Sequence, residues 1–332
     1  MAAPSTAIQR IELSVGFTEF SLEASRRGFI GPRVLKPRLV GKQEADVGKV
    51  PLEQLLQTEQ TLRTPRTAYG RSTFEFTTFS YACKEHGFEE PIDDADLKMY
   101  SDVIDAETIH AARVQDRVLR RYEIEAAAKV FDATVWTEVA GLQTAVGVAW
   151  DQADTATPIS DVAAAKRAIF DRTGLWPNKL ALNKRVFEDV QVCAEVLERV
   201  LYGGTNGDPA NVTAEALASI FGLDEVLVAE GAYNSANEGQ DATITPIWTD
   251  GYAMLFRAAV TDDMAEPCIG RTFLWPGDGA GEGPDASQIG VILEEYREEK
   301  VRGSVLRART YYDLQILYAS AGQLLSGLTT SE

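Results

Sequence analysis

The sequence predicts an α+β chain built around one unusually long helix and one unusually long hairpin. Three observations carry this. Residues 93–132 contain no Pro or Gly, and apolar or small residues recur at Leu97, Tyr100, Ile104, Thr108, Ala111, Val114, Val118, Tyr122, Ala126 and Val130. That is the i, i+3/i+4 spacing of one continuous amphipathic helix. Residues 289–318 instead alternate with period two on either side of a turn at Arg302-Gly303. Between 31 and 90 the chain has β-prone ends and a middle of Gly, Pro and polar residues, too poor in apolar side chains to hold a core of its own.

In chain order, residues 1–30 read as an arm, with a short strand expected at Ile8–Phe17. Residues 31–90 read as an extended loop. Thr73–Tyr81 alternates and is rich in Phe and Thr, which suits a pleated strand. The middle, Lys42–Arg71, reads as a two-stranded excursion. Such a ribbon is marginal alone in water, so it is expected to rest on another molecule.

The long helix follows. Asp93 and Asp96, after Pro91, supply cap groups and negative charge where a helix start wants them. A helix over 93–132 is about 60 Å long at 1.5 Å per residue, so it spans something. A membrane is excluded, because Lys98, Asp102, Arg113, Asp116, Arg117, Arg120, Arg121, Glu123 and Glu125 interrupt every apolar run. A coiled coil fits poorly, because the stripe contains Ala and Tyr and drifts off a 3.5 repeat. Asp116/Arg120 and Arg121/Glu125 are spaced for i,i+4 pairs on a solvated or subunit-facing side.

After the helix, Trp136–Thr157 reads as turn and linker. Asp161–Asp171 is a helix through Val162, Ala165, Ile169 and Phe170, capped by Ser160 and stopped by Gly174. Lys179–Leu182 is a strand, and Lys184–Val190, Ala194–Tyr202 and Val212–Phe221 are helices, the last two ended by glycines. Glu225–Ala229 is a strand, Ile244–Trp248 and Tyr252–Ala259 read as a strand pair across Asp250-Gly251, and Arg271–Trp275 is a further strand. In the closing segment Leu306, Ala308, Thr310, Tyr312, Leu314, Ile316 and Tyr318 share one parity, while Arg307, Arg309, Asp313 and Gln315 share the other. A strand of about 40 Å at ~3.3 Å per residue is commensurate with the long helix, and the two are expected to pack lengthwise.

The 332 residues carry a formal charge of −18, unevenly placed. From Ala24 to Ser72 ten basic residues (Arg26, Arg27, Arg33, Lys36, Arg38, Lys42, Lys49, Arg63, Arg66 and Arg71) face four acids, a balance of +6 that leaves −24 on the remainder. A basic limb suits nucleic acid, and suits equally a limb lying across the acidic body of a neighbouring copy. The acidic remainder argues against tight, sequence-blind DNA binding by the whole chain. Cys83, Cys193 and Cys268 are odd in number and widely spaced, which fits a reducing compartment rather than a disulfide framework. The N-terminus shows no charged start followed by an apolar core, so a soluble protein made in a cytoplasm is expected.

Chemistry is hard to find. His86 and His110 are the only histidines, and Cys83 with His86 supplies just two of the ligands a zinc site needs. No nucleophile elbow, metalloprotease helix, P-loop or dinucleotide fingerprint occurs. The loop 277–285 lacks the ligand spacing of a calcium site. Glu89, Glu90, Asp93, Asp94 and Asp96 read as negative charge at a helix start. Glu294, Glu295, Glu298 and Glu299 read as a solvated strand edge that discourages stray pairing. No catalytic, cofactor-binding or metal site is assigned, and an enzyme is disfavoured.

Four stretches in the second half resemble one family in the right order: LWPNKLALNKRVFEDV (175–190), FGLDEVLVAEGAYNSANEG (221–239), IWTDGYAMLF (247–256), and CIGRTFLWPG (268–277) with the closing hairpin and YASAGQLLSGL (318–328). They look like segments of the major capsid protein of tailed double-stranded DNA bacteriophages, the Hong Kong 97-type fold that encapsulins share. The resemblance implies an N-terminal arm (1–30), an extended β loop (31–90) and a peripheral domain (91–157 and 281–332) formed by a spine helix and the long hairpin. Residues 158–280 would form a compact α/β axial domain, gathered around five-fold and six-fold axes. It implies a structural protein of the virion, assembled in the host cytoplasm from copies of itself, enclosing DNA without reading its sequence. A portal and decoration proteins are further implied partners.

On this resemblance the basic limb, with Arg117 and Arg121 of the helix, is the expected subunit interface. The helix starts too early to leave room for an N-terminal scaffolding segment, so a separate scaffolding protein, or none, is expected. Lys42 and Lys49 lie in the loop where some relatives cross-link covalently, but no asparagine or acid partner can be matched, and the cross-link is not carried over. An encapsulin-type shell around a protein cargo is the nearest rival reading. A soluble α+β enzyme is the rival from another class.

Overall fold

The computed structural model describes residues 8–9, 28–49, 51–58, 61–63, 65–66, 68–71, 73, 75–95, 98, 106–202, 212–237, 239–277, 289–300 and 302–330. In chain order the elements are β1 (Ile8–Gln9), α1 (Gly31–Val34), β2 (Pro37–Leu39), β3 (Glu44–Lys49), α2 (Leu52–Leu55), β4 (Thr77–Ala82), β5 (Lys84–Asp93) and α3 (Ala106–Val130). There follow β6 (Gln143–Ala145), α4 (Pro158–Thr173), β7 (Lys179–Asn183), α5 (Lys184–Val192), α6 (Ala194–Tyr202), α7 (Ala214–Phe221) and β8 (Glu225–Ala229). The chain closes with β9 (Ala232–Asn234), β10 (Ile244–Pro246), β11 (Tyr252–Phe256), β12 (Gly270–Leu274), β13 (Ile292–Glu298), β14 (Gly303–Ile316), a 3₁₀ turn (Ala319–Ala321) and β15 (Gly322–Ser326).

One sheet runs β1-β13-β14-β12-β2, with β5 also paired to β14. Strand β14 is its organiser: 14 residues, about 46 Å at ~3.3 Å each. Its even-numbered residues Leu306, Ala308, Thr310, Tyr312 and Leu314 are buried. Along them lies α3, whose Ala111, Val114, Val118, Tyr122, Ala126 and Val130 are all buried. The helical stripe and the strand alternation expected from sequence therefore meet lengthwise, because each supplies the apolar face the other has to cover. The second sheet, β6-β15-β11-β7-β8, has a core on each face. One core packs α4–α7 against Leu180, Leu182, Val226, Ala253, Leu255 and Leu325. The other joins Ala181, Leu227, Met254, Phe256 and Leu324 to Tyr122, Trp136, Trp248 and Tyr312. This second core fuses the two halves of the chain.

Local signals behave as their chemistry demands. Gly174 and Gly222 end α4 and α7 in the left-handed conformation, at φ 66° and 62°. The Pro177-Asn178 pair works because the Asn178 amide accepts from Ala258 N (2.7 Å) and donates to Ala258 O (3.3 Å), locking the entry to β7. Asn183 caps α5 through Arg185 N at 2.9 Å.

Several boundaries differ from the sequence reading. Asp93 does not start the helix: it ends β5, which pairs with β14 from Tyr312↔Lys84 to Gly303↔Asp93. Alternation of Phe88, Glu90 and Ile92 against β14 outweighs the helical pattern read from there onward. The described helix runs Ala106–Val130, with helical residues also at 94–95 and 98, and Asp96 lies outside the described residues. The extended loop is correspondingly shorter than 31–90. Residues 31–39 are docked on the body and 84–93 belong to its sheet, which leaves β3 and β4 as a separate two-stranded ribbon.

That ribbon also has apolar support in its own chain. Tyr81 stacks on Phe273 (4.6 Å) beside Phe79, with Val47, Cys83, Leu317 and Tyr318 around them. The expected strand pair across Asp250-Gly251 does not form: β10 pairs with β9, and β11 lies between β15 and β7. The proposed domain limits also shift, since β12 joins the sheet of the long hairpin, whereas β6 and β15 cross into the second sheet. Helix α4 starts at Pro158 with Thr157 as its cap position, and Ser160 hydrogen-bonds Glu195 instead of capping.

Gly303 opens β14, where it faces Glu298 of β13 on one side and Asp93 of β5 on the other. A Cβ there would lie 1.9 Å from Ile92 O, a clash with backbone that rotamers cannot relieve. Gly303→Ala should lower stability by about 3 kcal/mol or more by forcing β5 off β14, read as a shift of the urea midpoint of the unassembled chain.

Candidate functional site

The limb reaches the body at a buried carboxylate. Glu123 lies on α3 next to the apolar stripe, and its side chain is fully buried. Its Oε1 accepts from Ile30 N (2.7 Å), Gly31 N (3.0 Å) and the Trp248 indole N–H (2.7 Å), and Oε2 accepts from Gly31 N (2.9 Å). Ile30 and Gly31 open the four-residue α1, whose first N–H groups have no intrahelical partner; a carboxylate there satisfies them and the helix dipole together. Gly31 is required, because a Cβ would sit 2.6 Å from Glu123 Oε2. No cation among the described residues takes part. Burial pushes the Glu123 carboxyl up to about 7, against the pull of the Trp248, Ile30 and Gly31 hydrogen bonds.

A second strand of bonding runs beside it. Thr272 Oγ1 donates to Leu35 O (3.0 Å), so its oxygen accepts from Tyr122 Oη at 2.7 Å. The limb, α3, β12 and Trp248 of the second half are thus bound at one point.

Of the residues expected at a subunit interface, several are engaged within the chain. Arg33 pairs with Glu225, which also holds Lys179 at 2.8 Å. Burial opposes the charge on Glu225, but the two cations outweigh it and hold its carboxyl below the usual range. Lys36 pairs with Asp262 (2.9 Å) and donates to Val260 O (2.8 Å). Lys49 donates to Leu317 O and lies 4.0 Å over the Tyr318 ring, and burial lowers its pKa. Arg38 is half-buried, and its Nη1 has no hydrogen-bond partner among the described residues.

Lys42, Arg63, Arg66 and Arg71 are exposed. Arg63 stacks 4.6 Å over Tyr69. Arg66 takes φ 73°, an unusual conformation for a side chain with a Cβ. Arg26 and Arg27 lie outside the described residues. On α3, Arg117 and Arg121 are exposed, the first 4.4 Å over Phe88 and the second bonded to Glu125 at 2.7 Å. The i,i+4 pairing of Asp116 with Arg120 forms too, at 2.8 Å.

Glu294 contradicts the solvated-edge reading, whereas Glu299, just past β13, is exposed. Glu294 is buried and is clamped by Arg307 (2.9 Å to Nε) and Arg309 (3.0 Å to Nε). Burial raises its pKa, yet the two guanidinium groups prevail and lower it overall. Because Glu294 sits opposite Arg307 and the backbone of β1 pairs alongside, this position is interior to the sheet. Glu89 and Glu90 belong to β5, and Glu90 pairs with Arg113 (3.1 Å) and lies 3.2 Å from His110 Nδ1. Asp94 pairs with Arg297 at 2.6 Å.

Among the described residues no group of three or more His, Cys, Asp or Glu side chains is placed to hold a metal. His86 stacks on Tyr312 at 4.1 Å, and Cys83 is buried with its thiol pushed up to about 12, so neither is poised as a ligand. No described helix is long and apolar enough to cross a membrane. The loop 278–285 lies outside the described residues. The open groove of note, about 620 Å³, lies between the ribbon and β14 and is lined by Glu44, Asp46, Tyr81, Ala82, Lys84, Asp313 and Gln315.

Glu123 was missed from sequence, where it reads as one more charge on the polar side of a helix. The readable clue was its place directly after Tyr122 in the apolar stripe, with a Gly-Pro helix start upstream at Gly31-Pro32. Glu123→Ala should destabilise the unassembled chain by several kcal/mol, at about 1–3 for each buried donor left unpaired. Its pH dependence has a definite sign. The unfolded chain releases this proton near 4.5 and the folded chain near 7, so the folded form binds more protons between them. The contribution is fully present below pH 4.5 and is lost as pH rises to 7. Unfolding titrations of the native chain against Glu123→Gln should show the native chain losing ground across that window.

No protein-family model matches the chain. No curated protein matches it either. Solved structures do. A phage-related protein from Bordetella bronchiseptica RB50 aligns over 98% of this chain and 100% of its own, at TM-score 0.68 and 18% identity. The capsid of cyanophage P-SCSP1u aligns over 87% and 85%, at TM-score 0.56 and 12% identity. The virus-like particle from Pyrococcus furiosus aligns over 95% and 98%, at TM-score 0.55 and 10% identity.

Proposed function

We propose that this chain, which has the Hong Kong-type fold of tailed-phage capsid proteins, is the major capsid protein of a tailed double-stranded DNA phage. The observation that carries the reading is the extent of the fold match: it covers 98% of this chain with a phage-related protein and 87% with a cyanophage capsid, not just one domain. Such a subunit works by geometry. Overlapping heterologous contacts close into five-fold and six-fold rings, and the projecting ribbon ties one subunit to the next. An acidic body with its basic residues gathered on one limb suits a wall that contacts its own copies and does not grip packaged DNA. A separate scaffolding protein and a portal belong to this reading, as does assembly in the host cytoplasm.

Expression of the chain alone and with candidate scaffolding proteins, followed by electron microscopy, should give closed shells of uniform size. Small, non-polymerising species under all these conditions would reject the proposal. Native particles should hold DNA; a packaged enzyme instead would move the assignment to an encapsulin-type compartment. The exposed face of α3 is proposed as one side of a subunit boundary. Reversing both Arg117 and Arg121 to Glu should abolish assembly or make particles fall apart on milder heating, whereas unchanged assembly and heat resistance would mean that the face is merely solvated.

A further inference from the structure

Among the described residues the chain passes between its two large sheets three times: from α3 to β6 through 131–142, from β11 to β12 through 257–269, and from β14 to β15 through 317–321. These connectors are fastened to one another. Leu317 N donates to Ile269 O (2.9 Å) and Arg257 N to Ala321 O (3.0 Å), so backbone bonds join the second connector to the third. A side chain joins the first. Arg172, near the end of α4, donates through Nη1 to Gly141 O and through Nη2 to Gly322 O (3.0 Å) and Ser320 O (3.5 Å).

A strand that leaves one sheet for another carries carbonyls that neither ladder satisfies. Cations meet that need here. Lys129 of α3 donates to Leu314 O, Lys49 of β3 to Leu317 O, and Arg172 to the three carbonyls just named. Burial draws down the pKa of Lys49 and of Arg172, and no carboxylate among the described residues offsets it. Elsewhere the fold gives a half-buried cation an acid, as Glu294 serves Arg307 and Arg309. A cation bonded to backbone alone holds the path of that backbone. Arg172 does so for two connectors at once, and its planar fork fixes where their carbonyls stand relative to each other.

The junction is thereby held at two separate places that share no residue. Glu123 bonds Ile30, Gly31 and Trp248, whereas Arg172 bonds Gly141, Ser320 and Gly322. We infer that Arg172 is the pin of a joint between the two sheets, a positioning residue that sets the angle at which the half built on β14 meets the half built on β11 and, through that angle, the curvature of a shell. The long hairpin is the lever, because a small rotation at the connectors becomes a large displacement at its far end. The shell comes from the capsid reading; the joint is a property of one chain and is measured on one chain.

Glu299→Cys, just past β13, and Glu198→Cys, on α6, place one exposed nitroxide label on each half, since the native thiols are all buried. Pulsed electron spin resonance of the unassembled chain should give a single narrow distance peak. Arg172→Gln should lose that peak to a broad or split one, and Arg172→Lys, whose one amine cannot hold three carbonyls, should fall between. A second label pair inside one half, Glu198→Cys with Asp224→Cys, should keep its native distance in every variant, which separates a loosened joint from an unfolded chain. A narrow, native peak between the halves in Arg172→Gln, or a broad one in the native chain, would overturn the pin.

Particles read the second step. Native shells of one diameter with Arg172→Gln shells of mixed diameter or open sheets would support control of curvature. Native-sized, uniform shells from Arg172→Gln would overturn it. A native chain that forms no shell under any condition would reject the capsid reading, and the label distances would still decide the pin.

Discussion

The limb, the long helix and the second half of the chain meet at the Glu123 carboxylate. A fully buried acid with no counter-cation among the described residues is a costly thing to place in a core. Here it is tolerated because three N–H groups from two distant segments converge on it: Ile30 and Gly31 from the limb, and Trp248 from the second half. Each partner is itself short of alternatives. The first N–H groups of α1 have none inside their own helix, and an indole N–H buried among Phe131, Met254 and Phe256 would otherwise be orphaned. The result is a polar lock inside an apolar junction, with Tyr122, Thr272 and Leu35 as a second bolt beside it. Apolar contact alone would hold the halves together, but the directional bonds fix their angle.

The lock explains how the limb divides. Up to Leu39 it is anchored by Glu123, by β2 pairing with β12, and by the Arg33 and Lys36 ion pairs. From Glu44 to Lys49 the ribbon lies over Phe273, Leu317 and Tyr318, and beyond it Arg63, Arg66 and Arg71 are exposed. The charge imbalance seen in the sequence is thus two features: a stitched half that neutralises acids of its own chain, and a projecting half that presents charge outward. In a shell, the first half would set the subunit's shape and the second its neighbours.

What could be read from the sequence was what is periodic and local. The α3 stripe and the β14 alternation announce themselves because every third or fourth residue, or every second one, repeats the same demand. Gly174 and Gly222 likewise state their own left-handed stops. What could not be read was pairing across long separations. Residues 84–93 look like the approach to a helix until β14, more than 200 positions away, supplies the partner that makes them a strand. Glu294 looks like a solvated acid until Arg307 and Arg309 fold over it. Glu123 sits one residue outside an apolar stripe, and nothing nearby reveals that backbone from residue 30 will reach it. The candidate interface was legible as an excess of charge, but not which arginines the fold itself would consume.

Hydrogen exchange of the Ile30 and Gly31 amides and the Trp248 indole tests the lock most directly. In the native chain these protons should exchange as slowly as the amides of α3 from 118 to 130, and in Glu123→Ala the protection of 28–35 should collapse while that of the β14 hairpin persists. Exchange of the Ile30 and Gly31 amides at the rate of an unanchored segment in the native chain would contradict the account.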